Sequence, residues 1–269
     1  MPYVQIAGSP LAPARRPIEV FYREHGRDLG AGVAGSPLLI LHGAWGYEFY
    51  PFDAQIAALP ELRFLIPDRT GYGRSPRITA LPPGFHRGAA EEHEAFLDAL
   101  GVERCAIWGH SDGAVIAAIM ALRRPARITG IILEALHVDR VKPRSREFFT
   151  MMADDPDGFG TRVAGILAAE HGADYWRTIV GASGRAWLDI AATPDEDFYD
   201  HRLGELSVPA LVLHGTDDPR TEPDELDRIA RALPAATIHR IAGGGHSPHS
   251  KRSARDEATR VAARFLRAL

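Results

Sequence analysis

Short apolar runs alternate along this chain with longer stretches in which apolar side chains recur every three or four positions. The short runs are typical of strands covered on both faces of a parallel sheet, and the three-to-four spacing is typical of helices. The predicted strands are 3–7, 18–23, 38–41, 63–66, 105–108, 128–133, 210–213 and 236–241. The alternating helices are 49–59, 91–100, 114–122, 224–233 and 252–269. This order predicts an α/β protein with an eight-stranded, mostly parallel sheet flanked by helices.

Residues 139–206 break the alternation because no strand-like run occurs in them. Helical patterns with intervening glycine and proline fill this stretch, and about 60 residues is far more than a crossover between strands needs. We therefore predict an α/β core, residues 1–138 and 207–269, with an inserted helical cap at 139–206 that covers the site at the strand ends. The predicted cap helices are 144–152, 161–171, 175–190 and 198–206. Aromatic side chains expected to line a pocket there are Phe148, Phe149, Phe159, Trp176 and Trp187.

Composition narrows the class of protein. Hydrophobic residues make up 45% of the chain and charged residues 25%, as in an ordinary globular protein, and the net charge of −4 gives no reason to expect a nucleic acid or an anionic membrane as partner. The single cysteine, Cys105, excludes an intramolecular disulfide and a cysteine-rich zinc site. No apolar run reaches 18 residues and no leader-like pattern is present, so the expected location is the cytoplasm.

Residues 109–113 carry the strongest chemical signal. Their sequence, Gly-His-Ser-Asp-Gly, fits the G-x-S-x-G turn that presents a nucleophilic serine between a strand and a helix. A predicted strand precedes the motif and a predicted helix follows it, which favours this interpretation over an ordinary loop that happens to contain serine. Side chains at either glycine would collide with the neighbouring strand and helix. We predict that Ser111 is a nucleophile.

A nucleophilic serine needs a base, and histidine is the expected one. The chain has twelve histidines, and His246 stands out because it follows three glycines directly after the last predicted strand. Glycine gives the backbone freedom to direct the imidazole back towards Ser111. His249 lies in the same loop and is the alternative. The chain order serine, acid, histidine agrees with this choice.

The acid that orients the histidine has three candidates. Asp217 and Asp218 lie in residues 214–219, after the first strand that follows the cap, and Glu134 ends the strand before the cap. We predict Asp218, with Glu134 second and Asp217 third. The alternative roles are a turn cap for Asp217 and a pocket wall or ion pair for Glu134.

Two backbone N–H groups are expected to stabilise an oxyanion. One belongs to Asp112, which follows the nucleophile, and the other to Ala44, in the loop after strand 38–41. We further expect Trp45, Asp112, Glu134 and Phe148 to contact the substrate. A carboxylate at position 112 could attract a cationic group such as an α-amine. Its alternatives are a favourable charge at a helix start or an ion pair with Arg74.

With these motifs the chain resembles the α/β-hydrolase fold superfamily over nearly all of its length outside the predicted cap. In that superfamily the acid lies three residues after the glycine of the seventh-strand motif, which implies Asp218, although some members place it at the position of Glu134. The Ser-Asp-Gly turn with a helical cap resembles the branch of small-ester and amino-acid-ester hydrolases. The matching motifs are 42–43, 68–75, 109–113, 214–218 and 245–246.

Serine at the nucleophile position narrows the expected chemistry. Members that open epoxides or displace halides carry aspartate there, so the resemblance implies acyl transfer from a small ester to water, with no metal or organic cofactor. The same residues could serve carbon–carbon bond hydrolysis or peracid formation. From a different class, the chain could be a hydrolase-like sensor that mainly traps a small molecule.

Overall fold

One eight-stranded sheet forms the centre of the computed structural model, which describes residues 3–14, 16–26 and 36–269. The strands are β1 (Tyr3–Ile6), β2 (Ile18–His25), β3 (Leu38–Leu41), β4 (Phe64–Pro67), β5 (Cys105–His110), β6 (Ile128–Glu134), β7 (Ala210–Gly215) and β8 (Thr237–Ile241). The helices are α1 (Asp53–Ala58), α2 (Phe85–Ala99), α3 (Asp112–Arg123), α4 (Arg146–Asp154), α5 (Thr161–His171), α6 (Trp176–Ala191), α7 (Glu225–Ala232) and α8 (Arg255–Leu266).

The strand order is β1-β2-β4-β3-β5-β6-β7-β8. β2 pairs antiparallel with β1 and β4, whereas every pairing from β4 across to β8 is parallel. The predicted fold class is therefore confirmed. Parallel strands end at one edge of a sheet, so the loops after β3, β5, β7 and β8 lie at the same edge, where ligands bind in open α/β sheets.

The continuous apolar runs arise because helices cover both faces of the sheet. Along β3, Leu39 and Leu41 pack into one apolar cluster with α2 and α3, while Leu38 and Ile40 pack into a second with α1 and α8. α3 lies against the middle of the sheet and is buried from residue 112 to residue 121. The segment that follows β5 is thus buried against the sheet.

Residues 139–206, all of which the structure describes, contain no strand, as the sequence indicates. They form α4, α5 and α6 and three short 3-10 turns, and we call them the helical segment. The predicted helix 198–206 is wrong: only a 3-10 turn at Leu203–Glu205 forms. Asp200 and His201 have positive φ, and the Asp197 carboxylate accepts hydrogen bonds from the N–H groups of Tyr199 and His201, so this stretch is a turn.

Two other helices begin four residues or more from their predicted starts. α1 is shorter than 49–59 and begins only at Asp53, after Pro51. α2 starts at Phe85, six residues before the predicted start. None of the helices in the described ranges is both long and apolar enough to cross a membrane.

Candidate active site

Ser111 occupies the sharp turn between β5 and α3. Its φ of 55° and ψ of −119° are unusual for a residue with a side chain, and such strain costs about 1–3 kcal/mol. A Cβ atom on Gly109 would overlap the Gly113 carbonyl, and one on Gly113 would overlap the Leu41 carbonyl. The two glycines let the helix approach the sheet closely enough for this turn to form.

His246 and Asp218 lie beside Ser111, although all three come from different strand ends. The Ser111 Oγ lies 3.0 Å from His246 Nε2, and His246 Nδ1 lies 3.0 Å from each carboxylate oxygen of Asp218. The structure thus brings together the three residues predicted as nucleophile, base and acid. In this chain of contacts, Asp218 holds the imidazole with Nε2 facing the hydroxyl.

Asp218 is held as a carboxylate. Burial alone would raise its pKa, but the neighbouring His246 and the hydrogen bond to it outweigh burial and lower the pKa well below its ordinary value. The backbone N–H of Arg220 also donates to Asp218 at 2.9 Å. The neighbouring carboxylate, Asp217, is exposed and accepts only from the Thr216 hydroxyl.

The loop that carries His246 is tied to the strand that carries Ser111. His110 Nε2 lies 3.1 Å from the His246 carbonyl and 2.8 Å from the Ser247 hydroxyl. Burial lowers the pKa of His110 to about 3, so this imidazole is neutral. His110, the residue before Ser111, therefore fixes the backbone of His246.

The backbone N–H groups of Ala44 and Asp112 are the two that the sequence predicts to stabilise an oxyanion. Neither N–H is engaged by a carbonyl or a side chain among the residues that the structure describes. Ala44 also lines a cavity together with Ser111 and His246. Both groups are consequently available to an oxygen atom bound beside the nucleophile.

The loop that carries Ala44 is held by the helical segment. The Glu170 carboxylate accepts hydrogen bonds from the backbone N–H groups of Tyr47 at 2.7 Å and Glu48 at 3.1 Å. His171 Nε2 donates to the Trp45 carbonyl at 3.1 Å. Burial raises the pKa of Glu170 to about 8 and lowers that of His171 to about 4. The end of α5 thus fixes residues 45–48.

The cavity beside Ser111 is small and mostly aromatic. Its volume is about 20 Å³, roughly enough for one water molecule. Trp45 and Phe148, two of the residues expected to contact the substrate, line it, and so do Phe149 and Trp187 among the aromatic residues expected there. Phe159 and Trp176 do not line it. The Phe159 ring contacts the Trp45 ring edge to face, and Trp176 is buried in the larger apolar cluster.

Asp112 is not placed for contact with a substrate, which corrects the prediction for its side chain. The side chain is 0% exposed, and one carboxylate oxygen accepts hydrogen bonds from His86 Nε2 at 3.1 Å and Trp187 Nε1 at 3.0 Å. The other oxygen lies 3.6 Å from the Arg69 guanidinium. Burial opposes ionisation, yet these neighbours lower the pKa of Asp112. An ion pair with Arg74 does not form; Arg69 takes that place.

Glu134 is likewise neither the acid for His246 nor a wall of the cavity. Its carboxylate is completely buried and accepts from His249 Nδ1 at 2.8 Å, from the His249 backbone N–H at 3.0 Å and from Trp108 Nε1 at 2.8 Å. His249 Nε2 faces the Tyr50 carbonyl at 3.0 Å. Both nitrogens of His249 are therefore engaged, and this histidine is unavailable as the base for Ser111.

Comparison with known proteins shows the family of this chain. A model of the alpha/beta hydrolase family matches residues 38–264. The chain belongs to the alpha/beta hydrolase family. It is an enzyme of this family, whose members include the relatives described next.

Two curated members of the alpha/beta hydrolase family are similar to this chain along most of its length. Serine hydrolase BPHL of Homo sapiens is 25% identical over 242 residues, which cover 87% of this chain and 80% of that protein. The 2-hydroxy-6-oxononadienedioate/2-hydroxy-6-oxononatrienedioate hydrolase of Paraburkholderia phymatum is 25% identical over 255 residues, which cover 83% and 84%. Among solved structures, a thermophilic esterase from Thermogutta terrifontis superposes with a TM-score of 0.73 at 21% identity, covering 99% of this chain and 98% of that one, which is a likeness of fold.

Four residues that line the cavity of this alpha/beta hydrolase were not predicted from the sequence. They are Tyr50, His110, His137 and Arg220. Arg220 had a detectable signal, because it comes two residues after the predicted acid at a strand end. Tyr50 and His137 had none, since their loops reach the cavity only through the packing of β3 and β6 against β5.

We expect Glu134→Gln to lower the free energy of unfolding by about 2–4 kcal/mol, because an amide places one donor against the N–H groups of His249 or Trp108. His249 lowers the pKa of Glu134 against the effect of burial, so the stabilisation is present above the ordinary value of 4.5 and is lost as the pH falls through the lower folded value. Urea unfolding at pH 7 and near pH 3 measures this. Glu91→Gln, at an exposed position, is the control; equal midpoints for the two variants at pH 7 would contradict the prediction.

Proposed function

We propose that this protein hydrolyses small carboxylic esters through an acyl-enzyme on Ser111. The observation that carries the proposal is the unbroken chain of contacts from the Ser111 hydroxyl through His246 to Asp218, with 3.0 Å at each step. A hydroxyl facing an imidazole that is oriented by a carboxylate is the arrangement that activates serine for attack on a carbonyl.

In the first half of the reaction, Ser111 Oγ bonds to the ester carbonyl carbon while its proton passes to His246 Nε2. The carbonyl oxygen becomes an oxyanion that accepts hydrogen bonds from the N–H groups of Ala44 and Asp112. Collapse of this intermediate breaks the bond to the leaving alcohol, which takes the proton from His246. Asp218 stabilises the imidazolium while it exists.

In the second half, a water molecule takes the place of the alcohol. His246 accepts a proton from water as its oxygen bonds to the acyl carbon, and the same two N–H groups hold the second oxyanion. Release of the carboxylic acid returns the proton to Ser111. No atom outside the chain, the ester and water is needed to balance these steps.

Residues 139–206 act in this proposal as a cap. Phe148 and Phe149 of α4 and Trp187 of α6 form the wall of the cavity that faces Ser111. Because the cavity holds only about one water molecule, these side chains have to move before an ester can enter. The cap then excludes bulk water while the acyl-enzyme forms.

Hydrolysis of a carbon–carbon bond in a diketone-like substrate is the second candidate. It is supported by the similarity to the dienedioate hydrolase of P. phymatum, and the same serine, histidine and oxyanion donors would serve it.

A panel of p-nitrophenyl esters of increasing acyl length, beside a fluorophosphonate probe, tests the proposal. We expect turnover of short esters with kcat/KM of about 10⁴ M⁻¹s⁻¹ or more, and a single labelled peptide that contains Ser111. Esters left uncleaved while a vinylogous diketone is cleaved would favour the second candidate. Turnover below about 0.1 s⁻¹ on every substrate, with strong thermal stabilisation by one ligand, would show a sensor instead.

A further inference from the structure

Arg220 places a positive charge in the wall of the cavity that contains Ser111 and His246. It follows the acid Asp218 by two residues, in the loop after β7, and its side chain is partly buried. A guanidinium keeps its proton at any ordinary pH, even though burial lowers the pKa of Arg220 against the opposing effects of Tyr50 and Asp218. The cavity wall is therefore cationic at this point.

No other described residue that lines this cavity has a permanent charge. Tyr50 and Ser111 are uncharged, and burial lowers the pKa values of His110 and His137 so far that both imidazoles are neutral near pH 7. No aspartate or glutamate lines the described wall. The charge of Arg220 thus acts on whatever occupies the cavity.

The two carboxylates nearest in sequence to Arg220 are already engaged, and Glu222 accepts a hydrogen bond from the Arg144 backbone N–H. Asp218 contacts His246 at 3.0 Å and His214 at 3.6 Å, and it pairs with the imidazolium that forms when His246 takes the serine proton. In the described ranges, Arg220 forms no ion pair with any carboxylate of the chain. A buried or half-buried arginine without such a partner is stabilised by an anion that binds to it.

The guanidinium is held in place without using its hydrogen-bond donors on a carboxylate. Its Cζ atom lies 3.3 Å from the centre of the Phe148 ring, which fixes the plane of the group against α4. A planar guanidinium with free edges binds a carboxylate through two parallel hydrogen bonds. The guanidinium also hydrogen-bonds to the Tyr50 side chain, and stacking on Phe148 leaves its remaining donors for a ligand.

We infer that Arg220 is a specificity-determining residue that selects substrates carrying a carboxylate in addition to the ester. This inference rests on the function proposed above and names the substrate class of the same site. This substrate carboxylate lies at the end of either the acyl chain or the alcohol portion of the ester. A positively charged substrate, such as an α-amino ester, is disfavoured for the same electrostatic reason.

Matched ester pairs test the selectivity. p-Nitrophenyl hemiglutarate is compared with the p-nitrophenyl ester of monomethyl glutarate for the acyl side, and 4-carboxyphenyl acetate with its methyl ester for the alcohol side. We expect kcat/KM to favour the charged member of at least one pair by tenfold or more in the wild type. The ratio should fall to within about twofold in Arg220→Gln, and a part of the preference should return in Arg220→Lys.

Arg144→Gln is the matched control, because Arg144 lies close by on the cap, donates to the Thr221 carbonyl and does not line the cavity. Its charge ratio should equal that of the wild type. A ratio near one for both pairs in the wild type, or an unchanged ratio in Arg220→Gln, would overturn the inference and leave the esterase proposal intact.

Binding of glutarate tests whether Arg220 binds a carboxylate, and it does so without measuring turnover. By calorimetry, wild-type protein should bind glutarate at least tenfold more tightly than glutaramide, and Arg220→Gln should lose that difference. Equal affinities would overturn the inference, even for a protein whose variants fold poorly. If no ester is cleaved but glutarate still binds through Arg220, the proposed function fails while the anion site stands.

Discussion

Ser111→Ala is expected to abolish ester turnover, with a loss in kcat of about 10³-fold or more. The hydroxyl is the only atom of this side chain that can bond to the carbonyl carbon, and His246 faces it at 3.0 Å. Initial rates with p-nitrophenyl acetate at equal protein concentration measure the loss. Labelling by a fluorophosphonate should disappear in the same variant.

Two measurements separate lost chemistry from lost structure. The melting temperature of Ser111→Ala should stay within about 4 °C of that of the wild type, since the substitution removes one hydrogen bond, to His246, worth about 1 kcal/mol. Ser250→Ala, in the loop that carries His246, removes a hydroxyl that donates only to the Ser247 carbonyl and should keep its activity. An active Ser111→Ala variant, or labelling of another residue, would contradict the proposed role of Ser111 as the nucleophile.

Asp218→Asn should cost about 10³–10⁴-fold in kcat, the second largest effect that we expect. An amide in place of the carboxylate removes the charge that stabilises the imidazolium and permits the histidine tautomer with the wrong nitrogen protonated. KM should change far less than kcat, because the Asp218 carboxylate does not line the cavity. Steady-state kinetics on one neutral ester give both constants.

Asp217→Asn is the matched control for this effect. The two aspartates are adjacent, but Asp217 is exposed and its carboxylate contacts the Thr216 hydroxyl rather than a histidine. We expect its kcat to lie within about twofold of the wild type. If Asp217→Asn or Glu134→Gln were the more damaging change, the acid would have been assigned to the wrong residue.

The positions of Ser111, Asp218 and His246 were predictable because each follows a strand. Topology alone carries the ends of β5, β7 and β8 to one edge of a parallel sheet, whatever the details of packing. The glycines around Ser111 and before His246 then indicate which side chain turns towards the others. Such information is local, so the sequence contains it.

The direction of the Asp112 side chain was not predictable in this way. Its carboxylate contacts Arg69, His86 and Trp187, which lie 43, 26 and 75 residues away along the chain. No local sequence pattern predicts contacts between residues so far apart. The same holds for Glu134, whose partner His249 is 115 residues distant. Both acids were expected to face a substrate, and both instead satisfy buried donors.

The hydrogen bonds from Glu170 and His171 to residues 45–48 limit how the helical segment of this enzyme can be exchanged. Replacing the helical segment, residues 139–206, with a segment from another protein would remove both side chains at once, and the main-chain segment that they anchor would be released with them. We expect such a chimera to change in rate as well as in selectivity. An active chimera therefore has to take residues 43–48 and the helical segment from the same parent protein.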